Sequence, residues 1–303
     1  MPMKNPVASR DQGQRLLTNC AACGSWEFAI HLQGRGYAVA QCNECGLRYV
    51  NPQPESEELR DFYDAFDGES EWRGEGEEAF DRRIRDVVLR FRSQGSVLDV
   101  GSSRGNFLLA MRGAGFTVQG VEPSAKNSQF ARERNRIPTS TATVESFLAA
   151  YHGPPFDVVT LLNVLEHLRN PRRVLRGLRG LLVRHGLLLA VVPDARLHEM
   201  IGRARRSLGF ADPFWMNSPK RPIVGYDPPN HLFSFEPRTL RLLVESCGFG
   251  TLALHNAPVL IREECWKNGA KRVCHACSQL LYLISFGRIV AGYSTLIVGQ
   301  RSD

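Results

Sequence analysis

Three sets of residues have types and spacings that can do chemistry. The first is a pair of C-x-x-C units, Cys20-Ala-Ala-Cys23-Gly24 and Cys42-Asn-Glu-Cys45-Gly46, separated by an 18-residue spacer. Four thiolates at this separation can surround one Zn²⁺ tetrahedrally, and a glycine after each pair permits the tight knuckle that turns backbone N–H groups toward sulfur. A closed set of four cysteines leaves no open coordination position, so such a metal stabilises rather than catalyses. The second set is Asp99-Val-Gly101-Ser-Ser103-Arg-Gly105, followed 17 residues past Gly105 by Glu122. A glycine-bearing turn lets the backbone approach a ligand closely, and a helix starting from it aims N–H groups at that ligand. Glu122 closes the next apolar run, where a carboxylate can accept hydrogen bonds from a ribose diol. The third set is two imidazoles, His167 and His231, each close to a predicted helix start. Histidine suits proton removal because it titrates near neutrality.

These side chains need a scaffold, and the apolar patterning supplies one. Val97, Leu98 and Val100 form the short β-branched run of a buried parallel strand, and a helix-forming run over 106–112 follows the turn at once. Further strands are predicted at 117–121, 139–143, 156–162, 186–192, 249–255 and 294–298. Helices alternate with them: one opens at Pro123-Ser124, one at Asn170-Pro171 runs to about 183, and one lies between Pro237 and Gly248. Seven strands alternating with helices give an α/β, Rossmann-like, mostly parallel sheet. A dinucleotide fingerprint G-x-G-x-x-G does not fit the first turn.

Ahead of this core, Phe28-Ala-Ile30-His-Leu32 and Tyr37-Ala-Val39-Ala alternate as two short strands of a small zinc ribbon. The expected organisation is a polar tail over 1–17, the ribbon over 18–50, a helical linker and cap over 51–93, and the α/β domain over 94–303. Ser56 is placed to cap a helix that reaches Tyr63. Phe80, Ile84, Val87, Val88 and Phe91 recur at helical spacing and should cover the sheet. Tyr63 and Trp72 are expected at a substrate mouth. An irregular aromatic stretch over 193–229, with Trp215 and Tyr226, reads as a lid or substrate pocket.

Composition narrows the class further. Hydrophobic content of 43% and charged content of 23% belong to a globular protein rather than a disordered one. Net charge is +7, from 33 arginines and only five lysines set against 31 acids. The arginines are scattered rather than blocked, which favours an anionic substrate and leaves nucleic acid unlikely. The start, MPMKNPVASRDQGQR, lacks the apolar core of a signal peptide, and the apolar run over 280–298 is broken by Arg288 and two glycines. No membrane span and a cytoplasmic location are therefore expected. Metal spacing accounts for four of the eight cysteines; Cys274 and Cys277 leave one unpartnered C-x-x-C.

The order D-x-G-x-x-x-G with an acid ending the next strand resembles the S-adenosylmethionine site of class I methyltransferases. That resemblance implies that Asp99, Gly101, Ser103 and Gly105 line the methionine end and that Glu122 holds the ribose. Ser103 stands where the family usually has a middle glycine. Glu145, just beyond the third strand, falls where such enzymes often meet the adenine. Asn163-Val-Leu-Glu166-His167 looks like the motif of one large methyltransferase group, which implies that Asn163 and Val164 contact the cofactor while Glu166 and His167 sit at the active-site rim. His231-Leu-Phe-Ser-Phe resembles the same group and makes His231 the expected general base, with His167 second. A cysteine-knuckle ribbon ahead of this core is similar to bacterial enzymes that methylate sugars, polysaccharide precursors or secondary metabolites on oxygen or carbon. The resemblance covers 96–192 with little interruption. Two other readings are an RNA-base methyltransferase with a zinc module and a non-catalytic cofactor-binding scaffold. The ribbon's two arginines, Arg35 and Arg48, make a poor phosphate footprint. Asp227-Pro-Pro-Asn230 resembles an amino-methylating D-P-P-Y motif but stands in the wrong place for it.

Overall fold

A computed structural model describes residues 17–34, 36–55, 58–59, 75–196, 228–257 and 292–303, with 207, 276–277, 280 and 284–285. The N-terminal strands are β1 (Phe28–Gly34), β2 (Tyr37–Cys42) and β3 (Arg48–Val50). After them comes α1 (Glu75–Leu89), whose Phe80, Ile84, Val87 and Val88 are buried at the predicted helical spacing. The α/β elements then follow in order: β4 (Ser96–Val100), α2 (Asn106–Gly113), β5 (Thr117–Glu122), α3 (Ala125–Glu133), β6 (Thr139–Thr141), α4 (Val144–Ala150), β7 (Phe156–Leu162), a 3₁₀ turn (Leu165–His167), α5 (Pro171–Gly180) and β8 (Leu182–Pro193). Closing the chain are β9 (Phe233–Ser234), α6 (Pro237–Ser246), β10 (Phe249–Asn256) and β11 (Ser294–Arg301).

The main sheet has seven strands in the order β10-β11-β8-β7-β4-β5-β6. All pairs are parallel except those of β11, which runs antiparallel to both β10 and β8. The seven predicted strands are all present, and the α/β class holds. Their continuous apolar runs, such as Leu187 to Val192 of β8, are buried on both faces, which is what a helix-covered parallel sheet demands. On one face the core gathers Ile84, Val88, Leu108, Met111 and Ile137. On the other it gathers Leu175, Leu178, Leu240 and Leu243, and it continues without a break into Leu47 and Tyr49 of the N-terminal segment.

That continuity is a finding the sequence did not announce. The ribbon forms a four-stranded antiparallel sheet in the order β1-β2-β3-β9, and its last strand comes from the stretch of the α/β domain between β8 and α6. Tyr49 pairs with Phe233 across β3 and β9, with ring centroids 6.1 Å apart. The Val50 N–H donates to the Leu232 carbonyl at 2.8 Å. Arg172, on α5, donates to the carbonyls of Ala21 at 2.7 Å and Ala22 at 2.5 Å, both inside the first cysteine knuckle. The ribbon's sheet therefore extends beyond the 18–50 segment expected for it. Strands of three and two residues are too short to show alternation, and their pairing spans more than 180 positions of the chain.

Smaller differences have local causes. The helix expected to reach residue 183 ends at Gly180, because β8 begins at Leu182, which already pairs with Phe156 of β7. The short α4 was not expected; the Thr143 hydroxyl caps it by accepting the Ser146 N–H. Tyr63, Trp72, Trp215, Tyr226, Cys265 and Cys274, and nearly all of the expected lid, lie outside the described residues, while Cys277 is exposed. Among the described residues no helix is long and apolar enough to cross a membrane.

Candidate active site and metal centre

In the main sheet the chain moves outward from β4 to β5 and β6 on one side and from β7 to β8 on the other. The crevice at the carboxyl ends of β4 and β7 is thus a topological switch point, where open α/β sheets bind ligands. The turn leaving β4 is left-handed at Gly101 (φ 71°), Ser103 (φ 48°) and Gly105 (φ 77°). Ser103 holds the middle position at a cost of about 1–2 kcal/mol for an L-residue. Its N–H is turned to donate to Glu122 Oε2 at 2.9 Å, and the Ser124 N–H donates to Oε1 at 2.8 Å. Glu122 is 8% exposed. Burial pushes its carboxyl upward, and the two backbone N–H groups oppose that shift.

The turn after β7 closes the crevice from the other side. Asn163 is left-handed (φ 56°) and its N–H donates to the Val191 carbonyl at 2.9 Å. Val164 packs so tightly on the first glycine that a Cβ there would sit 2.5 Å from Val164 Cγ2. Asp99, at the floor, accepts the Thr160 hydroxyl at 2.6 Å on Oδ1, and burial pushes its carboxyl up to about 8. The turns after β4, β5 and β7 therefore bring Asp99, Gly101, Ser103, Glu122 and Val164 together. Glu145 is exposed in the first turn of α4.

His167 and His231 meet although 64 positions separate them, with ring centroids 4.9 Å apart. The Leu232 N–H donates to the Glu166 carbonyl at 2.8 Å, which draws the two segments together. His167 Nδ1 lies 2.7 Å from the Asn230 carbonyl. A carbonyl only accepts, so Nδ1 carries the proton and Nε2 offers a lone pair. Burial lowers the His167 pKa and favours the neutral ring. Glu166, expected at the rim, is instead 1% exposed, and both of its carboxylate oxygens are buried without a hydrogen-bond partner. Burial holds its carboxyl up near 8. The reason is local: the 3₁₀ turn points Glu166 inward and leaves His167 at the opening.

At the other end of the α5 contact, the four thiols of Cys20, Cys23, Cys42 and Cys45 lie within 4.8 Å of one another. Cys20 and Cys45 sulfurs are 3.4 Å apart, as are those of Cys23 and Cys42. Tetrahedral Zn–S bonds of about 2.3 Å put sulfurs about 3.8 Å apart, so the cage fits zinc. The Cys45 thiol hydrogen-bonds Cys20 and draws its pKa down to about 5, already favouring one thiolate. Gly24 and Gly46 are left-handed, and their N–H groups donate back to the Cys20 and Cys42 carbonyls, closing each pair into a tight turn.

Sequence reasoning missed Thr160, Arg172 and the Asn230 carbonyl. Thr160 was legible as the one hydroxyl inside the apolar run Val-Val-Thr-Leu-Leu. Arg172 is one of 33 arginines, and only its fold position singles it out.

Comparison with known proteins agrees with this architecture. Residues 72–254 match a family described as a methyltransferase domain. The ubiquinone biosynthesis O-methyltransferase of Caulobacter sp. strain K31 is 36% identical over 130 residues, 41% of this chain and 51% of that protein. The chain spans about half the length of the curated relatives it matches. Among solved structures, the PH0226 protein from Pyrococcus horikoshii OT3 superposes with a TM-score of 0.52 at 15% identity, covering 80% of this chain and 99% of that one. The plantazolicin methyltransferase BpumL gives a TM-score of 0.50 at 14% identity, covering 82% and 91%. At such identities the two structures share the fold.

Proposed function

The chain belongs to the methyltransferase-domain family, and from that premise we propose that it transfers a methyl group from S-adenosylmethionine to a small molecule. The observation that carries this reading is the convergence of the turns after β4 and β5 on Glu122, whose oxygens each receive one backbone N–H and keep lone pairs for a diol. The bound cofactor would supply a methyl group on a sulfonium. Glu122 holds the ribose, the Gly101–Gly105 turn makes room for the methionine end, and Asn163 and Val164 close over it. Asp99 adds a carboxylate that a cationic ligand favours ionised. In-line transfer asks the protein mainly to align the acceptor and exclude water.

The acceptor is a hydroxyl of a sugar, polysaccharide precursor or secondary metabolite, anionic in keeping with the net charge of +7. The Caulobacter relative is named for O-methylation, which favours oxygen over carbon. His231 and His167 stand where a hydroxyl proton can be taken, with His231 as general base. Tyr63, Trp72, Trp215 and Tyr226 belong to the substrate side of this reading, and Glu145 to its adenine side. The four cysteines hold a structural Zn²⁺ that braces the ribbon against α5. The same arrangement suits a cytoplasmic enzyme.

Two measurements test this. Calorimetric titration of the zinc-loaded protein with S-adenosylhomocysteine should give one site per chain, abolished by Glu122→Ala; absence of heat removes the cofactor assignment. Methyl label should pass from S-adenosylmethionine into the small-molecule fraction of a cell extract. In that assay His231→Ala should lower turnover about 10²–10⁴-fold while the calorimetric affinity holds. Equal loss of both sinks His231 as base.

A further inference from the structure

We propose that Glu166, His167 and His231 form a second metal site, an open three-ligand site for one divalent cation of the zinc, manganese or cobalt kind. One ligand atom from each residue lies within 4.8 Å of the other two. At the tetrahedral angle, metal–donor bonds of about 2.0–2.2 Å put donors about 3.3–3.6 Å apart, so closure onto a cation asks side-chain rotations that draw the three atoms together by up to about 1.5 Å. Glu166 Oε1 and His167 Nε2 are already 3.8 Å apart.

The carboxylate is the strongest pointer. Both oxygens of Glu166 are buried with no hydrogen-bond partner, in a side chain only 2% exposed. A buried acceptor left unpaired costs about 1–3 kcal/mol, and more when charged. A cation between Glu166 and the two rings satisfies it. The second pointer is His167 itself. Its Nδ1–H is anchored on the Asn230 carbonyl at 2.7 Å, the outer-shell bond that sets the tautomer of a metal-ligating histidine and leaves Nε2 as the donor. Two imidazoles and one carboxylate suit zinc, manganese, iron or cobalt, whereas magnesium and calcium prefer all-oxygen sets.

The side chain of His167 is 25% exposed, so the cluster has an entry path, and three protein ligands leave a fourth position for water or substrate. Its use in the reaction rests on the hydroxyl-acceptor reading above. The acceptor oxygen takes the fourth position, its O–H proton leaves to solvent, and the oxygen forms a bond to the methyl carbon as the carbon–sulfur bond breaks. The sulfonium thereby becomes a neutral thioether. With the cation bound, the lowered pKa of the coordinated hydroxyl takes over the help that His231 gives as base in the metal-free protein.

The zinc-loaded protein is titrated with Co²⁺, following bound metal by equilibrium dialysis and absorption. One extra equivalent should bind with nitrogen- and oxygen-ligand visible bands and no thiolate charge-transfer band. Glu166→Gln and, separately, the less buried His231→Gln should each weaken it by at least about tenfold, the loss typical even of outer-shell partners, with the circular dichroism of the wild type retained. Absence of the extra equivalent, or unchanged binding in whichever variant folds, overturns the site. Retained Co²⁺ binding with no methyl transfer to any small molecule would leave the site standing and count against the functional reading instead.

Discussion

Replacing Gly101 with alanine tests whether the turns after β4 and β7 are packed as one unit. The backbone there is left-handed at φ 71°, which costs an L-residue about 1–2 kcal/mol. The new methyl would lie 2.5 Å from Val164 Cγ2 and 3.6 Å from its Cβ and Cγ1. Carbons in contact prefer about 3.5–4.0 Å, so Val164 must retreat by about 1 Å, an overpacking that costs about 1–3 kcal/mol. Gly101→Ala should therefore destabilise the protein by about 2–5 kcal/mol in all. Val164→Ala removes the offending Cγ2, so the double variant should keep the backbone cost and shed the clash. Urea unfolding of the four proteins closes the cycle, with an expected coupling of about 1–3 kcal/mol in favour of the double variant. A coupling below about 0.5 kcal/mol, the scatter of independent sites, refutes the packed-turn argument. The same four proteins titrated with S-adenosylhomocysteine should show cofactor affinity recovering with stability.

Other perturbations reach the remaining parts of the molecule. Arg172→Ala strips two donors from the knuckle carbonyls of Ala21 and Ala22 and should cost about 2–6 kcal/mol by thermal unfolding, each orphaned acceptor contributing about 1–3; exposed Arg173→Ala next to it should stay within about 0.5. Because burial raises Asp99 from 3.8 to about 8, the folded state binds the proton more tightly than the unfolded chain. Its contribution is present below pH 4 and is lost as pH rises toward 8, so unfolding midpoints of the cofactor-free protein should fall across that window. Asp99→Asn should flatten that fall; a slope identical to the wild type rejects the assignment. Cys42→Ser should cut tightly bound zinc at the ribbon, measured by elemental analysis, and lower the thermal midpoint together with the β3–β9 contact. Retention of the wild-type midpoint after zinc loss removes the bracing role.

Much of this protein is written in short-range pattern. Apolar β-branched runs marked the inner strands β4, β7, β8 and β11 of the main sheet, because a strand buried on both faces has no other way to be composed, while the edge strands β6 and β10 are partly exposed. Cysteines three positions apart with a following glycine marked both knuckles, and the glycine-bearing turn before Asn106 marked the ligand crevice, since each depends on dihedral and spacing limits within a few residues. What the chain could not disclose locally is which distant pieces touch. Tyr49 stacks on Phe233, Arg172 reaches Ala21, and His167 meets His231 and Asn230. Glu166 looked like a rim residue because its neighbour is one, and only its place in a single 3₁₀ turn sends it inward. Such contacts are settled by sheet order and crossover geometry, which bring remote segments to one edge and leave no periodic trace in either.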